Sequence, residues 1–192
     1  MKGENLFGLV LAGGKSRRMG QDKSMMVYRD ETQRETVFDM LIPLCRSVYI
    51  SCNKDQVFDE FSILDMPEFE NIGPLGGLLS AMRTLPGKDF LVVGCDYPFL
   101  VSVHLQAFLG SIKSNSIAAA FYNDNSGFYE PVLGYYSSSC YGMLLAKFHN
   151  KEYSLQHFLR AVDANKFIPF DKKVMESVDT IENCYYENRI NR

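Results

Sequence analysis

Nothing in this chain is spaced like a zinc site or a disulfide framework: its five cysteines, Cys45, Cys52, Cys95, Cys140 and Cys184, are scattered, odd in number and never arranged as C-x-x-C. That usage suits a reducing cytoplasm. A basic tail is also missing. With a formal net charge of -3 and a pI near 5.6, the chain lacks the broad cationic face that nucleic-acid backbones require. No apolar run approaches a membrane span, and the short stretch 6–12 runs straight into glycines and charge without a signal-peptide cleavage pattern. Repeats, linkers and low-complexity tracts are absent as well. What remains is 192 residues with 46% apolar content, enough for one buried core. The expectation is a single domain over 1–192, a monomer or weak oligomer, whose partner is small and anionic rather than a nucleic acid or a membrane.

Strand-like and helix-like stretches alternate almost throughout, which predicts an α/β, Rossmann-like fold with a mostly parallel central sheet and helices on both faces. Strands are expected over 6–11, 48–51, 62–64, 90–94, 117–122, 132–136 and 167–169. Apolar residues at helical spacing predict a helix over 35–45, which Pro43 must kink or end. Further helices are expected over 56–61, after Gly73-Pro74-Leu75-Gly76-Gly77, over 102–109 with Ser102 as cap, over 139–148 and 154–161, and from Thr180. Residues 123–127 read as a turn by composition.

The richest segment is 11–23, L-A-G-G-K-S-R-R-M-G-Q-D-K, directly after the first strand. Gly13 and Gly14 let the backbone come close to a ligand, and Lys15, Arg17, Arg18 and Lys23 bring opposite charge to a polyphosphate. Local charge of this kind steers ligands where net charge does not. The alternative is a glycine turn with solvated cations. G-K-S at 14–16 is not a Walker A ending, because that pattern needs glycine where Leu9 stands, and G-x-G-x-x-G is absent too.

Two acids close strands. Asp96 follows Leu91-Val92-Val93, where open parallel sheets place their ligand crevice, and its hard oxygen suits Mg2+, which takes one or two protein carboxylates and fills its shell with water and phosphates. The competing role is a cap on the helix after Pro98. Asp65 closes Ile63-Leu64 and could reach the same sheet edge, or be a solvated loop acid. His104, His149 and His157 share no spacing with one another or with an acid, and are expected to be surface or structural. Most aromatics fall at core-like spacing, with Phe121 and Tyr122 the two at a strand end.

Residues 11–23 resemble the L-A-G-G-x-S-x-R-M-G-x-D-K motif of the molybdenum cofactor guanylyltransferase family. The likeness continues through G-P-L-G-G at 73–77, C-D-Y-P-F-L at 95–100 and E-P-V at 130–132. It implies GTP as donor and a molybdenum-carrying molybdopterin as acceptor, with Leu11, Ala12, Gly13, Gly14, Asn53, Asp65 and Asp96 around the nucleotide. Lys23 and Arg17 would serve the triphosphate and Asp96 would hold Mg2+. Two departures stand out: Ser51-Cys52-Asn53 replaces the family's N-A-N, leaving Asn53 to contact base or ribose, and residues 177–182 lose both asparagines and the proline of N-x-N-T-P-E. The expected chemistry is GMP transfer with release of pyrophosphate. A cytidylyltransferase, a sugar-phosphate nucleotidyltransferase and a nucleotide-binding module without turnover stay open beside it, although Ala12-Gly13-Gly14 favours guanine by analogy with the related cytidylyltransferases.

Overall fold

In the computed structural model, which describes residues 5–12, 27–28, 31–53 and 60–177, the first apolar run forms β1 (Leu6–Leu11), buried along almost its whole length. Both of its faces are covered: Leu6 and Val10 enter one core cluster, Phe7 and Leu9 another. The same division runs along β6 (Asp89–Gly94), with Leu91 and Val93 on the first side and Phe90 and Val92 on the second. Continuously apolar strands are what a sheet between two helix layers requires.

Around these two lie β4 (Val48–Cys52), β5 (Ser62–Leu64), β7 (Ala118–Asn123), β8 (Phe128–Tyr136) and β9 (Asn165–Phe167), in the order β5-β4-β1-β6-β8-β7-β9. A separate ribbon pairs β2 (Val27–Tyr28) with β3 (Glu31–Thr32). The main sheet is mostly parallel, as expected, with β8 alone reversed against both neighbours. α1 (Gln33–Leu41) and α3 (Ser102–Ser111) send Val37, Leu41, Leu105 and Phe108 into one cluster. α2 (Pro74–Thr84), α4 (Tyr141–His149) and α5 (Leu155–Ala161) send Leu78, Leu79, Leu144 and Phe158 into the other. Helices therefore cover both faces. Among the described residues no helix is long and apolar enough to cross a membrane.

Several boundaries differ from the sequence expectation for identifiable reasons. α1 starts at Gln33 rather than 35 because Thr32 and Glu35 form a capping box: the Thr32 hydroxyl accepts from the Glu35 N–H at 3.3 Å, and the Glu35 carboxylate accepts from the Thr32 N–H at 2.9 Å. It ends at Leu41: Ile42 still holds αR geometry as the cap and donates its N–H to the Phe38 carbonyl at 3.2 Å, but Pro43 has no N–H with which to carry the ladder further. Ser102 is not the cap of α3 but its first helical residue. Val101 holds the cap position and donates its N–H to His104 Nδ1 at 3.3 Å, which gives that histidine a structural task.

β8 extends four residues further back than 132–136, through Pro131, which a strand interior normally refuses. It is accommodated because the β7–β8 register shifts between Ala120 and Phe121, and the Pro131 carbonyl accepts instead from the Tyr136 hydroxyl at 2.7 Å. The helix expected over 139–148 divides into a 3-10 turn, Ser138–Cys140, and α4. The strand expected over 117–122 is shifted by one to Ala118–Asn123, and that over 167–169 by two to Asn165–Phe167, where it pairs with Ala119 to Phe121 of β7. Phe121 is fully buried and packs on Phe108 and Phe167, so it stacks on core rings and not on a ligand. The expected helix over 56–61 reaches the described residues only at 60–61, a turn, and the one from Thr180 lies outside them.

Candidate nucleotide site

From β1 the chain moves to β4 and outward to β5, then returns to the other side of β1 as β6. Connections leaving neighbouring parallel strands in opposite directions open a crevice beyond their carboxyl ends. Leu11, the last residue of β1, lies in that crevice's floor, paired with Ser51 of β4 on one side and Gly94 of β6 on the other. The Ala12 N–H adds one more bond, to the Ser51 carbonyl at 3.3 Å, before the chain enters the glycine-rich segment. Gly13, Gly14, Arg17 and Lys23 lie outside the described residues.

Asp96 folds back toward the same point. A β-carbon at position 94 would stand 2.8 Å from Asp96 Oδ1 and 3.1 Å from Val132 Cγ2, so only glycine at Leu11's ladder partner leaves the carboxylate this place. The start of the cationic segment and the β6 acid thus share one edge of the sheet. The helix-cap alternative for Asp96 fails, because α3 has Val101 at its cap position.

Glu130 of β8 is tied to the residue after Asp96. The buried Tyr97 donates its hydroxyl to Glu130 Oε2 at 3.0 Å. Burial lifts the Glu130 carboxyl above the usual range, the Tyr97 hydrogen bond opposes that, and the Asp96 charge adds to it. Asp96 and Glu130 thus lie near enough at the carboxyl end of β6 for the charge of one to bear on the other, and both are hard oxygen donors of the kind that suits a magnesium ion keeping most of its shell for water and phosphate. Among the described residues there is no group of three or more His, Cys, Asp or Glu placed to hold a metal.

Asp65 is fixed on the other side of β1. Its N–H donates to the Cys52 carbonyl at 2.9 Å, the next N–H, of Met66, donates to the buried Ser80 hydroxyl on α2 at 2.9 Å, and the Ser51 hydroxyl donates to Asp65 Oδ1 at 3.1 Å. Burial raises its pKa first, the Ser51 bond lowers it, and the Glu70 charge raises it further. This is a half-buried, oriented carboxylate and not a solvated loop acid. Asn53 follows β4 at the same edge, half-buried.

The Gly73–Gly77 motif works by close approach. A β-carbon at Gly76 would meet the Phe69 carbonyl oxygen at 2.2 Å, and one at Gly77 the Ser51 hydroxyl at 2.3 Å and Leu11 Cδ2 at 3.0 Å. The first turn of α2 is thereby pressed onto the ends of β1 and β4. Ser80 carries no signal in the sequence; Tyr97 and Glu130 stand in the C-D-Y-P-F-L and E-P-V segments without a spacing that assigns them a task, and Ser51 reads along the chain only as a departure from N-A-N.

A groove lined by Met82, Arg83, Pro86, Gly87, Lys88 and Tyr141 opens at the opposite end of the sheet, where β6 begins. Its cations already have partners: Arg83 pairs with Glu68 and donates to the Tyr141 hydroxyl, and Lys88 donates to Asn5 Oδ1. The thiols of Cys45 and Cys140 are pushed up to about 12 by burial and stay protonated.

An α/β sheet with a crevice at its switch point, flanked by oriented acids and followed in sequence, directly after β1, by a glycine-rich cationic segment, defines a nucleotide-handling protein. The MobA-like NTP transferase domain matches residues 8–166, and the chain belongs to that family. It is 30% identical over 162 residues to a probable molybdenum cofactor guanylyltransferase of Nostoc sp., a match covering 81% of this chain and 77% of that protein. It is 31% identical to a molybdenum cofactor biosynthesis bifunctional protein of Synechocystis sp. over 69% of this chain, and spans 39% of that protein's length. In fold it is similar to molybdopterin-guanine dinucleotide biosynthesis protein A of Archaeoglobus fulgidus, with a TM-score of 0.74 at 20% identity, covering 96% of this chain and 97% of that one.

Proposed function

We propose that the protein transfers GMP from GTP to molybdenum-carrying molybdopterin, releasing pyrophosphate and forming the guanine dinucleotide cofactor. The observation that carries this reading is the pairing of Leu11 with Gly94, which brings the start of the glycine-rich loop and the Asp96 carboxylate to one edge of two adjacent parallel strands. Relatives named as guanylyltransferases supply the donor and the acceptor class.

An oxygen of the acceptor phosphate attacks the α-phosphorus of GTP; a new P–O–P bond forms, and the bond to the β-phosphate's bridging oxygen breaks. No histidine base is required, since the acceptor phosphate is already ionised. Catalysis on this reading is positioning and charge stabilisation. The backbone of Leu11 to Gly14 with Lys23 and Arg17 takes the triphosphate, Asp65 accepts from N1 and the amino group of guanine, and Asn53 meets base or ribose. Asp96, with Glu130 near it, is the group that would hold Mg2+, which when bound neutralises charge on the donor and leaving oxygens.

The test is pyrophosphate release from GTP, CTP and ATP in turn, with magnesium and molybdopterin supplied. Release that needs both GTP and the acceptor is the expected outcome. Equal release from CTP would move the protein to a cytidylyltransferase, and GTP binding without any release would make it a binding module.

A further inference from the structure

We infer that Ser51, at the carboxyl end of β4, is a positioning residue that sets base choice by holding Asp65 for the purine edge. The inference rests on the reading of Asp65 as the base acceptor and adds the group that aims it. Three bonds fix that carboxylate's surroundings: Asp65 N–H to the Cys52 carbonyl, Met66 N–H to the Ser80 hydroxyl, and the Ser51 hydroxyl to Asp65 Oδ1. The first two pin the backbone. The third is the one that selects the side chain's rotamer.

Ser51 is suited to this because it cannot turn elsewhere cheaply. It is 2% exposed, it forms the ladder partner of Leu11, and its hydroxyl occupies the space that a side chain at Gly77 would need. A carboxylate has about four acceptor positions, so Oδ1 can take the serine hydrogen and still accept from the base. The absence of a β-carbon at 77 and the hydroxyl at 51 are therefore one device: the glycine leaves the room, and the serine uses it to aim Asp65.

The chemical consequence is discrimination at the guanine 2-amino group. Inosine triphosphate, which lacks only that group, is the probe. We expect Ser51→Ala to lower the preference for GTP over inosine triphosphate, measured as a ratio of binding constants, by about tenfold, the scale of losing one hydrogen bond to a charged group. Gly77→Ala should do the same, since its methyl would push the hydroxyl off Asp65. A ratio is insensitive to the folded fraction of a preparation, so lost stability cannot imitate the effect. Asp65→Asn should abolish the preference, and Ser51→Ala added to it should change nothing more, because the serine acts through the acid. An unchanged ratio in Ser51→Ala beside a collapsed one in Asp65→Asn would overturn the inference and leave the base acceptor standing. An unchanged ratio in Asp65→Asn would overturn the reading beneath it.

Discussion

Asp96→Asn is expected to reduce turnover at least ~100-fold, the scale seen when a principal partner of transition-state charge is removed, with melting shifted by no more than about 2 °C. The two numbers belong together. Asp96 is half-buried at the rim of the sheet, outside β6 itself, and the apolar packing beneath it is carried by Leu91, Val93 and Tyr97. The amide keeps the carboxylate's shape and changes only its charge and one acceptor oxygen, so a fold held by those neighbours should scarcely register it. The nucleotidyl-transfer step should register it fully, because the acid sits over Gly94, the residue that pairs with the last position before the glycine-rich loop. Steady-state rates and a melting curve from the same preparation check this, and near-normal turnover would remove Asp96 from the metal role.

Gly76→Ala should destabilise the fold by about 3 kcal/mol, a fall in Tm of roughly 5–10 °C, although alanine is ordinarily the better helix former. Its methyl would lie 2.2 Å from the Phe69 carbonyl oxygen, a backbone atom of a fully buried residue that cannot swing away. Relief requires α2 to lift from the Pro67–Phe69 turn, and α2 carries Leu75, Leu78, Leu79 and Met82 into the core. Gly110→Ala on α3 is the control: nothing stands within 4 Å of its β-carbon, so the change should be neutral or slightly stabilising. Equal melting of the two variants would show that α2 does not bear on that turn as described.

The parts of this architecture visible in the sequence are those set by local chemistry. β1 and β6 announce themselves as apolar runs because both faces are covered, and α2 because Gly73-Pro74 opens a strongly apolar helix. Asp96 and Asp65 were legible as acids directly after strands, which is where this class of sheet binds ligands. Strand order was not legible. Without it nothing shows that Leu11 stands between Ser51 and Gly94, or that reversed β8 brings Glu130 back near Asp96. Pro131 concealed the first half of β8, since the bulge that tolerates it is a property of the pair β7–β8 and not of either segment alone. Ser51 looked like a loss relative to N-A-N when read along the chain; in space its hydroxyl meets an acid fourteen positions away.

The most direct measurement of the central claim, a metal-bound guanine nucleotide seated where β1 and β6 end, is a calorimetric titration of the full chain with GTP, CTP and ATP in the presence of magnesium. GTP should bind at least about tenfold more tightly than either of the others, and its affinity should fall when magnesium is withdrawn. Indistinguishable affinities for the three triphosphates, or no binding at all, would contradict it.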